Sequence, residues 1–119
     1  MKRFSYFSLI VVCGFSVATS ATSATDPGLD PLVFNITLQN GVVSPKMTEI
    51  PVGGQVKIVV TNAGDATAEF ESKTLHIEKM LAAGAKTILT LHGLRTGSYE
   101  FVDEYTEDLD TAHGFIIAK

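Results

Sequence analysis

Tryptophan is absent from the 119 residues, and the one cysteine, Cys13, stands inside an apolar run near the N-terminus. Beyond that run there is no thiol, so no disulfide can staple the rest of the chain and no thiolate can hold a metal there. Basic residues are also scarce. Nine lysines and arginines face thirteen acidic residues, giving a net charge of −4. An acidic chain without a basic cluster is poorly matched to nucleic acid or an anionic lipid surface and better matched to small cations or a basic protein. No Ser–His–Asp arrangement and no histidine-rich zinc pattern is present, which argues against hydrolytic chemistry. Internal repeats and low-complexity tracts are lacking too.

The N-terminal 24 residues have the layout of a secretory signal peptide. Lys2 and Arg3 precede the apolar stretch "LIVVCGFSVA", and small residues follow, with cleavage expected after Ala21 or Ala24. The apolar run is too short to cross a bilayer. A lipid anchor at Cys13 is a poor fit, because Val12 precedes it. The reading is of a protein exported to the periplasm and not itself inserted in the membrane. Without Lys2 and Arg3, seven basic residues face the thirteen acidic ones, and the net charge becomes −6. Residues 25–32, with Pro27 and Pro31, read as a polar lead-in. Residues 33–119 read as one small domain, a monomer or weak dimer, that relies on its core alone.

Short alternating segments fill that domain. "QVKIVVTN" (55–62) puts Val56, Ile58 and Val60 on one face and Lys57 and Thr61 on the other. "VFNITL" (33–38), "TAEFES" (67–72), "KTILTLH" (86–92), "SYEFV" (98–102) and "GFIIAK" (114–119) read as further strands, with glycine-rich turns between them. Pro45 and Pro51 make 42–54 a bent or edge segment, since proline cannot donate to a ladder. "KTLHIEKMLAA" (73–83) is the one stretch that reads as a short helix. The fold class is all-β, an antiparallel sandwich or barrel of Greek-key type.

Three stretches carry a family resemblance: "VVSPKMTEIPVGGQVKIVVTNAGDATAEFES", "LRTGSYEFVDEY" and "HGFIIAK". Together they resemble the cupredoxins across nearly the whole of 33–119. By that resemblance the strong copper ligands belong at three positions, and the chain has Ala68 in place of the first histidine, Asp103 in place of the cysteine and Thr106 in place of the second histidine. A type-1 copper centre needs the thiolate and both imidazoles. The resemblance therefore implies the fold without blue-copper electron transfer. "EFESKTLHIEKML" followed by "YEFVDEY" is similar to the cysteine-free branch that accompanies bacterial iron permeases, the EfeO-type and FtrB-type domains. That likeness implies work in ferrous-iron import beside an inner-membrane iron permease and a periplasmic iron-binding partner. The iron would be bound as Fe(II) and oxidised to Fe(III) before delivery.

Carboxylates and imidazole suit Fe(II), Fe(III) and Mn(II), while Cu(II) binds most such sites. Asp110 and His113, in "D-x-x-H", reach one ion if the chain turns between them. Asp103 inherits the cysteine position, and Glu104 is next to it. Strand alternation sends those two to opposite faces, and Asp103 is the one expected to face the site. Glu69 and Glu71 share a face of an extended "AEFES", with Phe70 turned to the core, and are expected to complete the site. Met47 is a further candidate whose thioether keeps copper in contention. Glu107 and Asp108 read as solvated surface. His92 reads as lying at the opposite end of the barrel. His76 shares its parity with Glu78 and Met80, which fits either a second cluster or an exposed face. An oxidase, a non-redox carrier of iron or copper, and a metal-free module that binds a partner through its acidic end all remain open at this point.

Overall fold

The computed structural model describes residues 31–119, so the signal peptide and most of the lead-in expected from the sequence lie outside the described residues. In the clearest alternating segment, Val56, Ile58, Val60 and Asn62 are all buried while the residues between them reach solvent. Among the described residues the chain forms nine strands, most of them with a similar alternation. They are β1 (Leu32–Gln39), β2 (Val42–Ser44), β3 (Met47–Ile50), β4 (Gln55–Asn62), β5 (Ala68–Ser72), β6 (Ile77–Leu81), β7 (Lys86–His92), β8 (Gly97–Asp103) and β9 (His113–Ala118). Two short 3-10 turns, Glu104–Thr106 and Asp110–Ala112, connect β8 to β9.

The strands form two sheets, one ordered β2-β1-β4-β7 and the other β3-β9-β8-β5-β6. This is the all-β sandwich that the alternation implies. It is not wholly antiparallel, because β1 runs parallel to β4 and β3 parallel to β9. The proline-bearing segment supplies β2 and β3, which are edge strands of different sheets, and the chain crosses between the sheets at Pro45 and Lys46. Between the sheets lies one core that includes Ile36, Leu38, Ile58, Val60, Phe70, Phe101 and Ile116. Phe70 and Phe101 stack at 4.9 Å between ring centroids. Burying such a side chain stabilises by about 1.5–3 kcal/mol relative to leaving it exposed. The Phe101 ring lies directly over Gly114, where a Cβ would stand 2.9 Å from Phe101 Cε2, so only glycine fits there.

The 73–83 segment is not a helix. Residues 73–76 form a turn, and β6 folds back on β5 with Glu71 opposite Glu78 and Glu69 opposite Met80. His76 closes that turn at a φ of 55°, a left-handed conformation that an α-helix cannot contain. Leu75 and Ile77 are only partly buried and pack against the sandwich core. Tertiary pairing thus outweighs the modest helix propensity of the stretch.

Asn62 ties the sheets together at one end. Its Nδ2 donates to the carbonyls of Ala66 (2.8 Å) and Leu81 (3.0 Å), and its Oδ1 accepts from the Gly64 N–H (3.0 Å). The β8–β9 connection folds over this same end. Thr111 Oγ1 donates to the Gly41 carbonyl (2.7 Å), and Leu109 packs closely on Gly41. Gly41 follows Asn40, and both have positive φ (82° and 47°), which makes the tight β1–β2 turn.

Candidate metal site

Glu69 and Glu71 alternate with Ala68, Phe70 and Ser72, which are buried. Both glutamates therefore point outward from the five-stranded sheet, and Phe70 points into the core as β5's alternation requires. On the neighbouring strand Glu78 and Met80 occupy the same outer face, directly opposite them. Glu104, at the start of the first 3-10 turn, is delivered to this face as the chain leaves β8. Carboxylate oxygens of Glu69, Glu78 and Glu104 lie within 4.8 Å of one another. Three negative charges that close repel one another. Glu104 shares a hydrogen bond with Glu69, and this bond, partial burial and the charges of Glu69 and Glu71 push its carboxyl from 4.5 up to about 7. Tyr105 adjoins the cluster. Partial desolvation and the neighbouring Glu69, Glu104 and Asp103 charges raise its phenol above the ordinary value.

Asp103 lies on the other side of the sheet from these groups. It stands opposite Phe70 in the β5–β8 register and is 4 % exposed. Its Oδ1 accepts the Glu69 backbone N–H (3.1 Å), and its Oδ2 accepts the Thr106 hydroxyl (3.1 Å). The alternation that separates Asp103 from Glu104 holds, but Glu104 is the residue that faces the cluster. The register sets this outcome, because Asp103 extends the inward row of Tyr99 and Phe101. Its carboxylate is engaged in fastening the end of β8 to β5 and to the turn.

The structure gives His113 two partners. Nδ1 is 3.0 Å from Glu100 Oε1, and Nε2 is 2.6 Å from the Glu107 carbonyl oxygen. The Glu107 carbonyl, then Glu100, raise the pKa of the imidazole. Partial burial opposes them, and the Glu100 and Asp110 charges add to the rise. Asp110 is exposed at the start of the second 3-10 turn. The fold thus brings together Glu69, Glu71 and Glu104 of the expected residues and adds Glu78. It sets Met47 apart, 64 % exposed on edge strand β3 beside Phe115, at the opposite edge of the sheet from β5 and β6. Glu78 was legible in sequence only if 73–76 is read as a turn, for then Glu71 and Glu78 face each other. His92 ends β7 at the end of the sandwich away from the β8–β9 connection.

The residues at the three copper-ligand positions do not fit a type-1 centre. Ala68 is buried without a donor atom, and Asp103 and Thr106 are hydrogen-bonded to each other. No thiolate or imidazole replaces them, so no copper-mediated electron transfer follows from this end of the fold.

Residues 7–118 match the family model for the cupredoxin-like domain. Among curated proteins, the uncharacterized protein RP394 of Rickettsia prowazekii (strain Madrid E) is 34% identical over 88 residues, 74% of this chain and 69% of that protein. Among solved structures, the purple cupredoxin of Nitrosopumilus maritimus superimposes with a TM-score of 0.56 at 19% identity, over 72% of this chain and 99% of that one. The metal-binding domain of the Streptococcus pneumoniae Cu(I)-exporting P-type ATPase CopA gives a TM-score of 0.63 at 13% identity, over 73% of this chain and 84% of that one. Likeness at such low identity speaks for the fold alone, and it agrees with the family model. The chain belongs to the cupredoxin-like domain family.

Proposed function

We propose that this protein binds Fe(II) in the periplasm on the outer face of its five-stranded sheet, assists its oxidation to Fe(III), and passes the iron to an inner-membrane iron permease together with a periplasmic iron-binding protein. The observation that carries the reading is the Glu69–Glu78–Glu104 cluster, whose carboxylate oxygens lie within 4.8 Å of one another. A divalent cation placed among them replaces mutual repulsion with attraction. The sequence layout of residues 1–24 supports export, and the likeness of "EFESKTLHIEKML" and "YEFVDEY" to permease-associated domains supports the pathway.

An all-carboxylate donor set also favours the harder Fe(III) over Fe(II). It therefore lowers the free energy of removing one electron from the bound ion, with dioxygen as the acceptor to test. A second reading, a non-redox carrier of copper or iron, is favoured by Met80. That thioether is 68 % exposed and stands directly opposite Glu69.

The deciding experiment titrates Fe(II) into residues 25–119 without oxygen and then admits oxygen, beside a Glu69→Gln/Glu104→Gln variant. Binding with faster oxidation, both lost in the variant, supports the proposal. Binding without faster oxidation leaves a carrier. Absence of binding by the native protein overturns the metal reading and leaves a module that binds a partner through its acidic face.

A further inference from the structure

The connection from β8 to β9 has to be held against the sheet for Glu104 to meet Glu69 and Glu78. Its first turn is anchored at one end by the Thr106–Asp103 hydrogen bond. Its far end is anchored by Thr111 on Gly41 and by Ala112, which is fully buried. Between those anchors, the Glu107 N–H reaches the Glu104 carbonyl at 3.4 Å, and the Glu107 carbonyl is held by His113 Nε2. His113 sits on β9 opposite Val102 of β8, so the imidazole joins the turn that begins at Glu104 to the sheet beneath it.

We infer that His113 is a positioning residue of the carboxylate site: its ring clasps the Glu104–Glu107 turn to the five-stranded sheet and thereby holds Glu104 over Glu69 and Glu78. This rests on the carboxylate-site reading above. A backbone carbonyl can only accept, so Nε2 carries a proton. Nδ1 faces a carboxylate, and a lone pair there would face the lone pairs of Glu100. Both nitrogens therefore donate, and the ring has no free lone pair for a metal. The raised pKa of the imidazole agrees with a ring that is cationic in this setting. The charged groups around it are Glu100 beneath, Glu107 and Asp110 on the connection, and Glu71 and Lys73 across a cavity of about 190 Å³ that His113 also lines. Charge-assisted bonds of this kind are about twice as strong as neutral ones, and solvent screening discounts the exposed Glu100 partner.

The test compares the native protein with His113→Ala and His113→Gln by Mn(II) titration and by proton cross-relaxation between the side chains of Glu104 and Glu69 in the metal-free state. Gln supplies an N–H near the place of Nε2 but is a poor metal ligand. The expected result is Mn(II) affinity about tenfold weaker in His113→Ala, the scale of one lost charge-assisted bond. The Glu104–Glu69 contact should vanish in the same variant, and both properties should largely return in His113→Gln. Equal loss in the Ala and Gln variants with the Glu104–Glu69 contact intact would make His113 a ligand and overturn the inference. A lower Tm with unchanged affinity and contact would reduce it to an ordinary stabilising residue, which also overturns it. If the native protein binds no Mn(II), the carboxylate-site reading falls, and the cross-relaxation result still decides whether His113 holds Glu104.

Discussion

The strands of the four-stranded sheet carry Lys57 and Lys86 and no carboxylate, whereas those of the five-stranded sheet carry Glu49, Glu69, Glu71, Glu78, Glu100 and Asp103. Their inner faces are alike, built from β-branched, leucine and phenylalanine side chains that share one core. On the outer face of the first sheet stand Val59, Ile88, Thr61 and Thr90, residues suited to a pleated surface. On the second, Glu71 faces Glu78 directly across a strand pair, an arrangement of like charges that costs stability. The fold needs no such pairing, as the first sheet demonstrates. The like-charge cost therefore falls on one side of the sandwich only, the side that carries the proposed site.

The largest effect should come from the shared core. Phe101→Ala on one sheet and Ile58→Ala on the other should each destabilise by several kcal/mol, about 3–5 for the phenylalanine and about 2–5 for the isoleucine, in urea unfolding. A small loss in either would mean that the sheets do not form one cooperative unit. Next, Glu69→Gln/Glu78→Gln/Glu104→Gln should weaken Mn(II) or Fe(II) binding by about a hundredfold or more while raising the metal-free Tm. Lys57→Gln/Lys86→Gln on the opposite sheet should leave metal affinity unchanged, as isothermal titration would check.

A smaller effect concerns pH. Glu104 binds its proton up to about 7 in the folded state against 4.5 for the ordinary group. Between those values the folded chain holds more protons than the unfolded one, so metal-free stability should fall as pH rises through that window. His113, with its pKa also raised, acts in the same direction at the upper end. Thermal unfolding from pH 5 to 8 should show the decline, with a shallower slope in Glu104→Gln. Metal affinity should run the opposite way and rise with pH, since the ion displaces the Glu104 proton. The smallest effect is at the edge of the sheet, where Lys119 Nζ and Glu49 Oε1 pair at 2.9 Å with both side chains exposed. Glu49→Gln should shift stability by no more than about 0.5 kcal/mol.

Much of the architecture was legible in the sequence. The alternation of β4 and β7, the edge character of the proline segment and the outward placement of Glu69 and Glu71 follow from period-two patterning, and the cupredoxin-like fold follows from the motifs that carry the resemblance. What could not be read depended on register. Alternation separates Asp103 from Glu104 without saying which faces out, and the pairing of Asp103 with Phe70 decides it. Residues 73–83 have a composition compatible with a helix, and only the pairing of β5 with β6 makes the segment a hairpin. The partners of His113 come from the closure of a long connection, and spacing alone does not specify the Glu107 carbonyl as the group that meets Nε2.

Tyr105 beside the glutamates has an optical consequence. With no tryptophan in the chain, ultraviolet emission from residues 25–119 arises from two tyrosines, Tyr99 and Tyr105. The Tyr99 hydroxyl donates to the Arg95 carbonyl (2.8 Å) near the start of β8, far along that strand from the carboxylates. Tyr105 directly follows Glu104 and lies close enough to the cluster for the Glu69 and Glu104 charges to raise its phenol. A paramagnetic ion seated among the glutamates would therefore quench one emitter and spare the other, so the native chain carries its own reporter and its own internal reference.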